Sequence, residues 1–177
     1  IVSLFASGTI FFYIHFQKAL TTETKIYCHE LTQKLAAFGI LISILLFLSV
    51  AGNLGGDLVS VFQIKMLSLA IQTNLGKSAA VSVLGFIILL IFTGTNGLFN
   101  LLIKIFATGL ILMSFILVGH STLNGFLTQF LIYIHLIGIS FWIGSFLPLL
   151  HIGKMGNAVE LHDIAVKFGN LAIVYVA

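Results

Sequence analysis

The stretch "LIYIHLIGISFWIGSFLPLLHI", residues 131–152, decides the fold class. A hydrocarbon layer ~30 Å thick is crossed by roughly 20 apolar residues in a helix, and this run is long enough to do so. It lacks the polar/apolar alternation of a barrel strand. In lipid the backbone must satisfy its own hydrogen bonds, so the run is a transmembrane helix. His135 and Trp142 stand inside it. An imidazole buried without a partner costs roughly 2–7 kcal/mol. His135 therefore needs a hydrogen-bond acceptor, a water-filled path or a metal.

The rest of the chain has the same character. Hydrophobic residues make up 59% and charged residues 7%, with a mean hydropathy of +1.18, a composition of integral membrane proteins. Apolar runs over residues 1–16, 35–54, 78–95, 98–119, 126–150 and from 164 onward predict an all-α, polytopic transmembrane bundle of five spans plus the start of a sixth. They form one transmembrane domain over residues 1–177. The chain opens at Ile1 inside an apolar run and stops at Ala177 within another, which reads as truncation at both ends. The segment "DLVSVFQIKMLSLAIQTNLG" (57–76) has helical spacing of Asp57, Ser60, Ile64, Ser68 and Gln72, and fits an interfacial or short bundle helix. "GTNG" (94–97) and "STLNG" (121–125) predict tight turns, making successive spans antiparallel neighbours.

The formal charge of +3 comes from eight lysines, without arginine, against five carboxylates. Lys18, Lys25, Lys34, Lys104, Lys154 and Lys167 would share one side, and Lys65 and Lys77 the other. The positive-inside rule then puts the loops after spans one, three and five in the cytoplasm. Lysines spread in this way report orientation and give no nucleic-acid footprint. The single Cys28 excludes an intramolecular disulfide and a CxxC metal pair. No span interior carries Asp or Glu as a coupling carboxylate, and no Walker-type loop is present. The pattern does not suggest an enzyme.

His135, Gly138, Trp142 and Ser145 recur at three- and four-residue spacing and share one helical face. On the preceding span, Gly109, Met113, Ile116 and His120 form a matching stripe. With a pivot near Asn124, Met113 and His135 lie at similar depth and His120 about 10 Å nearer the outside. That is an outer ligand above an interior pair, with Trp142, Gly138 and Ser145 lining the path. Imidazole suits Cu, Zn, Fe and Ni, and a thioether selects Cu(I), so the set leans toward copper. The ordinary alternatives are that His135 hydrogen-bonds a neighbouring helix and that Met113 is packing. Cys28 and His29 read as neighbours in a cytoplasmic loop, and His15 and His151 as residues near the inner ends of their spans.

"LVGHSTL" (117–123) followed by "IHLIGISFWIGSFLPLL" (134–150) resembles the copper resistance protein D family, through Gly119 with His120 and through His135 with Trp142 and Gly144. "VKFGNLA" (166–172) is similar to the stretch that opens that family's next helix. Ser145 departs from it, standing where a second glycine is common. The resemblance implies a multi-pass protein of the bacterial inner membrane that moves copper from periplasm to cytoplasm, with membrane lipid around it and a periplasmic copper-binding protein as a partner. Two alternatives stand beside it. His120 and His135 could be axial ligands of haem b in an electron-transfer protein, although the hairpin arithmetic separates them by about two turns. A non-transporting membrane subunit could hold copper for a partner.

Overall fold

The computed structural model describes residues 1–94, 97–118 and 125–176, and these form an all-α bundle. Its helices are α1 (Val2–Phe16), α2 (Thr22–Gly55), α3 (Ile64–Ala70), α4 (Asn74–Phe92), α5 (Leu98–Ile116), α6 (Gly125–Lys154) and α7 (Ala158–Val176), with a 3₁₀ turn at Val59–Phe62. Among the described residues α2, α4, α5 and α6 are long and apolar enough to cross a membrane, and α1 is a shorter apolar helix. α7 has comparable length but carries Glu160, His162, Asp163 and Lys167. His120 and most of the "STLNG" turn, like the centre of "GTNG", lie outside the described residues.

α2 is longer than its apolar run predicts because residues 22–34, expected as a loop, continue the helix. Thr21 caps it, its hydroxyl accepting from the Thr24 amide at 3.4 Å. Glu30 and Lys34 add an (i, i+4) pair at 3.6 Å. Gly56, in the left-handed region at φ 80°, ends it. The following turn is held by Asp57, whose carboxylate accepts the Ser60 hydroxyl at 2.6 Å and the Ser60 amide at 2.7 Å. Those two donors hold the Asp57 carboxyl below its usual range. α3 is thus a short, largely exposed helix between α2 and α4.

α1 packs chiefly against α6, and α4 pairs with both α5 and α2. Small residues permit these approaches. Gly8 and Gly144 meet backbone to backbone, where a Cβ on Gly144 would fall onto Gly8, and Gly85 lies against Ala107 and Ile111 of α5. α5 and α6 touch only lightly, with the Tyr133 hydroxyl donating to the Gly109 carbonyl at 3.3 Å. They are therefore not the closely packed hairpin that the short connection suggested. The core has one cluster around Phe12, Phe16, Cys28, Phe141, Ile152 and Ile164, and another around Ala6, Ile10, Phe86 and Ile111.

A polar clasp joins the α1–α2 turn to the start of α7. Buried Glu160 accepts from the Thr21 amide at 2.9 Å, the Thr21 hydroxyl at 3.1 Å and the Asn157 side-chain amide at 3.1 Å. The Asn157 side-chain oxygen accepts in turn from the Glu160 amide at 3.2 Å, an N-cap for α7.

Candidate functional site

His135, expected from the sequence as a buried imidazole, is exposed on α6, where it borders a cleft of ≈ 320 Å³ lined also by Gly138, Ile139, Trp142, Ile143 and Tyr175. Three features shape this space. Gly138 lets α7 approach α6, since a Cβ there would sit 2.6 Å from the Tyr175 carbonyl oxygen. Trp142, 45% exposed, packs edge-on against Phe168 with ring centroids 5.7 Å apart. Tyr175 stacks on Phe141 at 4.4 Å. The cleft thus lies between α6 and α7, with His135 on the α6 side and Tyr175 on the α7 side.

Ser145 is placed differently from its stripe partners. It is fully buried, and its hydroxyl donates to the Phe141 carbonyl at 2.6 Å, off the cavity. Such back-bonding satisfies the hydroxyl within its own helix.

Met113 is not in this cavity. It is 48% exposed and lines a second space of ≈ 320 Å³ with Asn74, Ile116, Leu117, Phe126, Gln129, Phe130 and Tyr133. The reason is the splay of α5 from α6. Depth counted from a shared turn brings two residues together only where the helices pack side by side, and α6 leans on α1 instead. The two spaces follow one another along α6, since His135 lies about 13 Å beyond Phe126. His120, the third ligand expected from the sequence, lies outside the described residues. Among the described residues no group of three or more His, Cys, Asp or Glu converges to hold a metal ion.

Several polar groups that the sequence left as peripheral are integrated into the bundle. Lys104, expected to mark the cytoplasmic side, is only 3% exposed, and its Nζ lies 5.6 Å over the Tyr13 ring. His151 stacks face to face on Tyr27 at 3.9 Å. Cys28 is buried among apolar side chains, an environment that keeps a thiol inert. His15 contacts Tyr175 through its ring nitrogen at 3.3 Å. Tyr175 is the cavity residue that sequence reasoning missed, and no spacing or motif could have found it, because it reaches the site only through the α6–α7 approach at Gly138.

The class defined by these features is a polytopic membrane protein, a helical bundle whose clefts are mostly apolar with a few polar side chains. The family described as copper resistance protein D-like, N-terminal domain, matches residues 1–129, and the chain belongs to that family. Met113 and His120 fall within the matched part, whereas His135, Gly138, Trp142 and Tyr175 follow it. No curated protein and no solved structure matches the chain.

Proposed function

We propose that the protein is a non-catalytic copper carrier of the bacterial inner membrane, a bundle of five spans plus the start of a sixth, that moves copper from periplasm to cytoplasm as Cu(I). The observation that carries this reading is the His135 imidazole on the wall of a cleft between α6 and α7, in a chain of the copper-resistance family. Copper here is cargo. The Met113 cleft and His120 serve as the outer station and His135 as the next one, with Gly138 and Trp142 lining its space. The order follows from their succession along α6 and from the lysine distribution. A thioether and an imidazole away from carboxylates favour Cu(I) over Cu(II). Inward movement of a monovalent cation to the negative side gains about 2.3 kcal/mol per 100 mV, so no nucleotide is needed. A periplasmic copper-binding protein would deliver the ion.

Copper uptake into proteoliposomes, measured with ascorbate present, tests the reading. His135→Ala should insert normally and lose at least about tenfold in rate, the loss of one interior ligand worth roughly 1.4 kcal/mol or more at the barrier. A variant that inserts normally and transports at the wild-type rate would make the histidine structural. A wild-type protein that binds copper without moving it would instead be a copper-holding subunit.

A further inference from the structure

The connection between α2 and α4 folds back along α2. A Cβ on Gly52 would lie 3.2 Å from Val61 Cγ1, and one on Gly55 would strike the Ser60 side chain. Met66, Leu67 and Ala70 then pack with Phe47, Val50 and Ala51, all of which precede Leu54, where the apolar run of α2 ends. The Ser43–Ser82 hydrogen bond at 3.1 Å fixes the relative levels of α2 and α4. Counted from that pair toward the α2 C-terminus, Ala51 and Asn74 both lie about 12 Å away at 1.5 Å per residue. The start of α4 and the Ala70 contact are therefore both about 5 Å short of the end of the α2 apolar run.

On this folded-back segment Leu58, Val59, Phe62 and Ile64 are 67%, 82% or more exposed, Val59 being the least so. Large apolar side chains at this level meet the boundary of acyl chains and headgroups. Lys65 follows Ile64 and is exposed, and a lysine stem is long enough to keep its ammonium among lipid phosphates while its neighbours stay in the apolar layer. The turn also satisfies its own backbone, as that layer requires. The Asp57 carboxylate accepts from the Ser60 amide at 2.7 Å, and the Gln63 amide donates to the Ser60 carbonyl at 3.1 Å.

We propose that residues 57–73 form an interfacial wedge whose partner is phospholipid: Leu58, Val59, Phe62 and Ile64 enter the acyl region of the leaflet at this end of the bundle. That is the outer leaflet in the orientation given above, and the wedge itself does not depend on copper handling. It runs directly into α4, whose Asn74 lines the Met113 cleft, so its seat in the lipid also positions one wall of that cleft.

Trp142 is the single tryptophan, so Trp142→Phe gives a background without indole fluorescence. Phe62→Trp and, separately, Leu58→Trp then place one reporter at an exposed position where a larger ring meets no packed neighbour. The purified full chain is reconstituted in phosphatidylcholine vesicles whose acyl chains carry bromine either near the headgroup or near the bilayer centre. A side chain seated at the boundary should be quenched at least about twofold by the shallow bromines, less by the deep ones and little by aqueous iodide. Both reporters should agree. Strong iodide quenching with weak bromine quenching at either position overturns the wedge and leaves the patch in water, as a surface for a protein partner. Stronger quenching by the deep bromines overturns the interfacial level, and quenching by none of the three means that protein covers the patch, which overturns the assignment as well.

Discussion

The Thr9 hydroxyl of α1 reaches the Gly144 carbonyl oxygen of α6 at 3.4 Å. Pro148 lies four residues after Gly144 and has no N–H to donate back to it, so this carbonyl loses its intrahelical partner. Within a membrane bundle a neighbouring helix must supply the replacement. Thr9 does so with the longer arm of a shared hydrogen bond, since its single hydroxyl proton also reaches the nearer Phe5 carbonyl at 2.8 Å. Beside it Gly8 removes the side chain that would hold the helices apart. The α1–α6 crossing is therefore built around a proline defect, and it sets the α6 face that carries His135.

This arrangement predicts coupling between Thr9 and Pro148. Thr9→Val should destabilise the purified protein by about 0.6 kcal/mol, the average for hydrogen bonds between membrane helices. With Pro148→Ala the amide at 148 can pair with Gly144 itself, and Thr9→Val should then cost much less. Thermal unfolding of the two single variants and the double variant in detergent gives the cycle. Strict additivity would mean that the long Thr9 contact contributes nothing. Gly144→Ala, by contrast, should cost about 1–3 kcal/mol or more in either background through overpacking.

At the other end of α1, Glu160→Gln should loosen the clasp between Thr21 and the start of α7. A glutamine has one accepting oxygen where the carboxylate has two, and its NH₂ would face the Thr21 or Asn157 donors. The expected loss is about 1–3 kcal/mol. Cys28 supplies an independent readout, because it packs in the cluster that contains Ile152 and Ile164. Its reaction with a thiol reagent in detergent should quicken in the variant. An unchanged rate together with an unchanged melting temperature would show that the clasp is dispensable.

Helix positions were legible in the apolar runs, and a helix occupies each of those stretches. Their ends were less so, since residues 22–34 are polar and become helical through the Thr21 cap and the Glu30–Lys34 pair. Partner choice was the larger gap. The sequence placed α5 beside α6 because the connection is short, but packing in lipid is decided by how closely backbones approach. Ser140 and Gly144 stand at the small-xxx-small spacing that marks such an approach, and that spacing could have pointed to a tight crossing. It could not have named Gly8 as the other side. The site was legible in the same uneven way. The stripe of His135, Gly138 and Trp142 faces one cavity. The level of Met113 depended on a helix pairing that the bundle does not make.

Orientation can be checked on two exposed lysines, Lys18 in the α1–α2 connection and Lys77 at the start of α4. In a protein whose Cys28 has been replaced by alanine, a single cysteine at position 77 should react with a membrane-impermeant maleimide on intact spheroplasts. One at position 18 should react only after permeabilisation. The expectation rests on the excess of lysines at the end that carries Lys18. The opposite labelling pattern would invert the proposed direction of copper movement.

The outer station turns on Met113. A half-exposed methionine in a helix is an ordinary packing residue by default, and Met113→Leu conserves volume and apolarity. A packing role alone therefore predicts a melting temperature and a transport rate close to those of the wild type. A ligand role predicts a folded protein in which Cu(I) uptake falls, because leucine offers no electron pair to a soft ion. The surrounding cavity already supplies Asn74, Gln129 and Tyr133, which can contact a partly hydrated ion but provide no soft ligand. The selective loss should therefore appear with ascorbate present, when copper is supplied as Cu(I), and be small when Cu(II) is offered. Because Met113 and His135 line separate spaces, Met113→Leu should slow entry without abolishing Cu(I) binding at His135. Uptake and binding measured on the same preparation distinguish these outcomes: an unaffected Cu(I) uptake rate in the leucine variant removes Met113 from the path, and loss of binding together with uptake would place it in the same site as His135 after all.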